Sequence, residues 1–151
     1  MKAKEQYSEL ITFVPAVLLF MLWSYAAVSK IADYNRFVQQ MQLAPVPLMK
    51  AFGPTLGWFV PLIELILAYL LSKEKLRRLA LWLSFGLLLI FEIYISGMLL
   101  SGLELPCTCG GLISKLGWRQ HLFFNATFML ISLFPFIWER IFPKVYSPRS
   151  I

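Results

Sequence analysis

Two cysteines one residue apart, Cys107 and Cys109, sit in the run Leu103-Glu104-Leu105-Pro106-Cys107-Thr108-Cys109-Gly110-Gly111 and are the only thiols in the chain. A disulfide between them closes a very small ring, which removes little loop entropy from the unfolded chain and strains the bond geometry. Such a bond is a poor structural staple. Strained, exposed disulfides are the labile ones, so the pair is better suited to exchanging electrons. Pro106 stiffens the approach, and Gly110 and Gly111 let the backbone turn sharply and admit a partner chain. Thiolate formation is helped by cations or clustered backbone amides, and Lys115, Arg119 and His121 are the local candidates. His121 is a candidate proton carrier, with Asn125 one turn later on the same helix face. The competing reading of His121 is an interfacial polar residue at a helix entrance.

Two carboxylates, Glu64 and Glu92, fall inside long apolar runs. A charge at membrane depth costs several kcal/mol, so each is expected to face the bundle interior with a partner. They serve there either as hydrogen-bonding glue between helices or as the polar wall of a buried pocket or proton path. Glu92 lies about four helical turns before Cys107. A soft-metal site of Cys107, Cys109, His121 and Met98 is a lesser alternative. A tetrahedral ion needs more ligands than the chain offers nearby, and no metal is expected.

The elements that position these groups follow from composition. The chain is 59% hydrophobic and only 15% charged, and its mean hydropathy is +0.70, which places it with integral membrane proteins. A bilayer core needs roughly 20 apolar residues in a helix, and four runs meet or approach this: 10–28, 55–71, 79–100 and 121–138. Backbone polar groups cannot stay unpaired in lipid, so each run is helical. The second and fourth are short. Pro15 and Pro135 are expected near helix ends, where a missing donor matters least. The first run, about 19 residues long, exceeds a signal-peptide core and is read as a retained helix. The fold class expected is all-α: one domain, 1–151, an integral membrane four-helix bundle.

An even helix count puts both termini on one side of the membrane. That side collects Lys2, Lys4, Lys73, Lys75, Arg77, Arg78, Arg140, Lys144 and Arg149; the other has Lys30, Arg36, Lys50, Lys115 and Arg119. The positive-inside rule then makes the termini cytoplasmic and the cysteine loop, 101–120, extracytoplasmic in a bacterial inner membrane, where disulfides are permitted. The same rule accounts for the net charge of +6, so no nucleic-acid partner is needed. Segment 31–54 is too polar to span and too apolar for a free loop. It is expected to lie on the outer surface as a short helix capped by Asp33, with Tyr34, Phe37, Val38 and Met41 on one face, ended by Pro45 and Pro47. It acts as a connector or as a lid over the thiol site.

The layout resembles the MauE branch of the DoxX-like family of four-helix membrane proteins. The likeness rests on Ala26-Ala27-Val28-Ser29-Lys30 closing the first helix, Phe52-Gly53-Pro54 before the second, Val60-Pro61-Leu62-Ile63-Glu64-Leu65 within it, the Cys-x-Cys-Gly-Gly loop, and Asn125 in the fourth. The resemblance implies a role in methylamine utilisation or related redox maturation, with Cys107 and Cys109 as a redox pair. It also implies a thioredoxin-like or disulfide-containing extracytoplasmic client as partner. The layout is similar as well to four-helix thiol oxidoreductases of the DsbB and vitamin K epoxide reductase type, which use a quinone. This chain lacks their Cys-x-x-Cys and their second cysteine pair, so an outside partner must supply or accept the electrons. The alternative function is a non-catalytic accessory subunit of a larger membrane complex.

Overall fold

The computed structural model describes residues 2–43, 47–101 and 118–142. Among these, all regular structure is helical: α1 (Lys2–Ala32), α2 (Tyr34–Leu43), α3 (Pro47–Ser72), α4 (Arg77–Leu100) and α5 (Trp118–Ile141). Four stretches are long and apolar enough to cross a membrane: Glu9–Ala32, Met49–Ser72, Arg77–Leu100 and Arg119–Ile141. The chain is an all-α membrane bundle.

These helices are longer than the apolar runs that announce them, and prolines lie inside three of them. Pro15 lies inside α1, Pro54 and Pro61 inside α3, and Pro135 inside α5. Pro61 and Pro135 are fully buried. Their rings pack against neighbouring helices, which is how membrane helices tolerate the lost hydrogen bond. At Pro61 the carbonyl that loses its donor belongs to Gly57.

The core is built from small residues interleaved with large ones. Ala16, Leu19 and Trp23 of α1 meet Leu67, Ala68 and Leu71 of α3 and Ala80, Leu81 and Leu88 of α4, with Phe128, Met129 and Phe136 of α5 against them. Alanines let the backbones approach. The outer surface is apolar as well: Met21, Ile93, Phe123, Leu130 and Leu100 are all exposed. In water such a surface would aggregate; in a bilayer it is solvated by acyl chains.

Contacts at the helix ends fix which termini share a side. Arg78 donates through Nη1 and Nη2 to Oε1 and Oε2 of Glu139, each at 2.6 Å, and Arg77 stacks over the Phe13 ring at 5.3 Å. The beginning of α1, the α3–α4 turn and the end of α5 therefore lie at one end of the bundle. The α1–α2 join, the beginning of α3, the end of α4 and the beginning of α5 lie at the other.

Within segment 31–54 a short helix, α2, forms over Tyr34–Leu43, where the apolar spacing predicts one. Asp33 is a hinge: its N–H donates to Ser29 O at 3.2 Å and its carbonyl accepts from Phe37 N–H at 3.0 Å, so the helical bonding nearly continues from α1 into α2. The apolar face of α2 then packs along the first half of α3. Tyr34 donates its hydroxyl to Pro54 O at 3.0 Å and its ring meets Trp58 at 5.1 Å. Pro47 starts α3 instead of ending α2, a position where its missing N–H is one of the unpaired donors of a helix start.

Candidate functional site

Three of the helices, α1, α3 and α5, bring charged or strongly polar side chains to a common interior cavity, through spacing set by the helical repeat. In α1, Trp23, Ala26 and Lys30 share a face; in α3, Val60 and Glu64 stand one turn apart; in α5, His121 and Asn125 do the same. With Leu88, Phe91 and Tyr94 of α4 and Phe37 and Met41 of α2, they enclose a cavity of about 270 Å³. Two larger clefts lie on the bundle surface. One, between α1 and α5, is apolar and carries no titratable group. The other runs along Glu9, Glu74, Arg77 and Arg78. The interior cavity is the candidate because polar groups converge on it within apolar walls.

Lys30 Nζ lies 2.7 Å from Glu64 Oε1, and the two side chains are 6% and 0% exposed. The ammonium also reaches back to the Ala26 carbonyl at 3.5 Å and lies 5.7 Å from the centre of the Phe37 ring. Its aliphatic stem is thus folded back into the bundle from the end of α1. A buried charge of either sign is tolerated only when paired, and each of these supplies the other's partner. Asn125 Nδ2 donates to the Leu88 carbonyl at 3.0 Å, which ties α5 to α4. Trp23 Nε1 donates to Ser84 Oγ at 2.9 Å, which ties α1 to α4. Two atoms of the site have no hydrogen-bond partner among the described residues: Glu64 Oε2 and His121 Nδ1.

The residues singled out from the sequence are distributed unevenly. Glu64 and His121 are brought to one cavity. Glu92 is half-buried on α4; it lies on the stripe of Leu88 and Ile95 but is not on the cavity wall, and its Oε2 is buried without a hydrogen-bond partner among the described residues. Met98 is buried in α4. Cys107 and Cys109 lie outside the described residues, as does most of segment 101–120. No group of three or more His, Cys, Asp or Glu that could hold a metal ion is present among the described residues.

Lys30 is the site residue that sequence reasoning missed. It was counted with the outer-side loop cations, whereas it is buried within α1 and neutralised by Glu64. A signal for it existed. A carboxylate inside a span requires a cation, and Lys30 falls seven residues after Trp23, on the inward face of α1. Removing Lys30 from the loop cations widens the charge difference between the two ends.

The family model described as methylamine utilisation protein MauE matches residues 8–138. No curated protein and no solved structure shows a significant match. The matched region runs from the start of the first membrane-spanning helix almost to the end of the last and contains every residue of the cavity, so the chain belongs to the MauE family.

Proposed function

We propose that the chain is a membrane-embedded thiol–disulfide redox protein that supports disulfide formation or electron relay to extracytoplasmic proteins. One of Cys107 and Cys109 forms a mixed disulfide with a thioredoxin-like or disulfide-containing partner, and the other resolves it. Two thiols are oxidised as one disulfide is reduced, or the reverse. The observation that carries the reading is one of connectivity. Segment 102–117, with both cysteines, joins the end of α4 to the beginning of α5, at the end of the bundle where His121 opens α5 and lines the Lys30–Glu64 cavity. The chain is read as a single domain in a bacterial inner membrane. Both termini are cytoplasmic with the Lys73–Arg78 turn, and the cysteine loop is outside.

Trapping in cells tests this. Cys107→Ser or Cys109→Ser is expected to accumulate a mixed-disulfide adduct on non-reducing gels, and a membrane-impermeant maleimide is expected to label the remaining thiol from outside. If neither variant traps a partner and the double variant keeps full function, the relay fails and the accessory-subunit reading replaces it.

A further inference from the structure

The end of the bundle that carries the beginning of α1, the α3–α4 turn and the end of α5 holds a second set of charged groups, outside the interior cavity. A cleft of about 410 Å³ there is lined by Glu9, Phe13, Glu74, Arg77 and Arg78, among others. The first and third spans begin at Glu9 and Arg77, so the cleft sits at the depth of lipid headgroups. Arg78 is committed to Glu139 through both terminal nitrogens. Arg77 is not. Its guanidinium lies over the Phe13 ring at 5.3 Å; among the described residues it meets no carboxylate, and its Nε has no hydrogen-bond partner. Glu9 and Glu74 are exposed and likewise form no ion pair among the described residues.

Beside this cleft, and sharing Leu10 with it, an apolar groove of about 530 Å³ runs between α1 and α5. The groove faces outward: Val14, Leu130 and Phe134 on its walls are 48%, 66% and 45% exposed within membrane-spanning helices. From Leu10 to Leu18 it follows α1 for about 12 Å at the helical rise, close to the roughly 15 Å that the acyl chains of one leaflet occupy. A charged cleft at headgroup depth, joined to an apolar groove of leaflet length, has the outline of a phospholipid.

The charges select the headgroup. With Arg78 neutralised by Glu139, the cleft offers one cation, Arg77, and two carboxylates, Glu9 and Glu74. A headgroup that is only anionic brings its phosphate to Arg77 but faces both carboxylates with nothing to offer them. One that also carries a cation satisfies both signs. A primary ammonium has three N–H donors to divide between Glu9 and Glu74, whereas a quaternary ammonium has none. We propose that this cleft binds a phospholipid with a phosphoethanolamine headgroup: its phosphate on Arg77, its ammonium on Glu9 and Glu74, and one acyl chain in the α1–α5 groove. The site is independent of the thiol chemistry and stands whether or not a mixed disulfide is trapped.

Native mass spectrometry tests this on the full chain, released from mild detergent after incubation with an equimolar mixture of dioleoyl phosphatidylethanolamine, phosphatidylcholine and phosphatidylglycerol. One phosphatidylethanolamine per chain is expected, retained roughly tenfold over either competitor, the scale of one charge-assisted hydrogen bond. Glu9→Gln/Glu74→Gln is expected to erase the preference over phosphatidylcholine, and Arg77→Gln to weaken retention of phosphatidylethanolamine by a similar factor. If Arg77→Gln does not fold, the carboxylate variant decides alone, since both of its side chains are on the surface. Glycerophosphoethanolamine, the same headgroup without acyl chains, is expected to leave the bound lipid in place. Displacement by it would make a soluble phosphodiester the ligand and overturn the lipid site. Equal retention of the three lipids, a preference for phosphatidylglycerol, or a preference that survives Glu9→Gln/Glu74→Gln would overturn it as well.

Discussion

Replacing Lys30 with methionine is the sharpest single perturbation of this bundle, because it removes a charge and little volume. At 2.7 Å and an effective dielectric of about 20, the gross attraction between the Lys30 and Glu64 charges is about 6 kcal/mol. Desolvating each ion costs several kcal/mol, so the intact pair contributes little net stability. The single variants behave differently. Lys30→Met leaves the Glu64 carboxylate buried without its cation, and Glu64→Gln leaves the ammonium without its anion, each a loss of about 3–5 kcal/mol. The double variant Lys30→Met/Glu64→Gln removes both charges and is expected within about 2 kcal/mol of the wild type. Thermal unfolding in mild detergent, followed by tryptophan fluorescence, reads this as a fall in Tm on the order of 10 °C for each single variant and recovery of most of it in the double. The reasoning is refuted if either single variant melts within about 2 °C of the wild type, or if the double variant loses the sum of the singles. In the first case the pair is hydrated; in the second the two side chains do not compensate each other.

Two further outcomes follow from the packing. A Cβ on Gly57 would sit 2.6 Å from Val38 Cγ2 and 2.9 Å from Tyr34 Cε2, so Gly57→Ala should push α2 off α3 at a cost of about 1–3 kcal/mol. Faster hydrogen exchange confined to 34–43 and the facing half of α3 is the expected signature, and unchanged exchange there would show that α2 is not seated on Gly57. Ser84→Ala leaves the buried Trp23 N–H without its acceptor and should cost about 1–3 kcal/mol. A cycle with Trp23→Phe should return a coupling of about 1 kcal/mol, whereas strict additivity would mean that the bond contributes nothing.

Four apolar runs, their helical state and their membrane setting were legible in the chain, because lipid leaves a long apolar segment only one way to satisfy its backbone. Helix boundaries were less legible. Pro15 and Pro135 are expected near helix ends, yet both are buried inside continuous helices. The amphipathic face of α2 was also readable, since Tyr34, Phe37, Val38 and Met41 recur at helical spacing. Its partner was not, because local sequence gives no sign that Gly57 lies opposite Val38.

By itself, then, the amino-acid sequence determined the solvent, the number of spans, and the requirement that Glu64 find a buried partner. Those conclusions depend on properties of single segments: length, hydropathy and charge. Only the tertiary structure decided that the partner is Lys30, 34 positions away, that His121 shares the Glu64 cavity while Glu92 does not line it, and that α2 closes one wall. Each of these depends on how the helices are rotated and paired, and a helix that is apolar nearly all round carries too weak a polar stripe to fix its own rotation. Trp23, buried and bonded through Nε1 to Ser84 of α4, marks the inward face of α1, and the same face carries Lys30 toward Glu64.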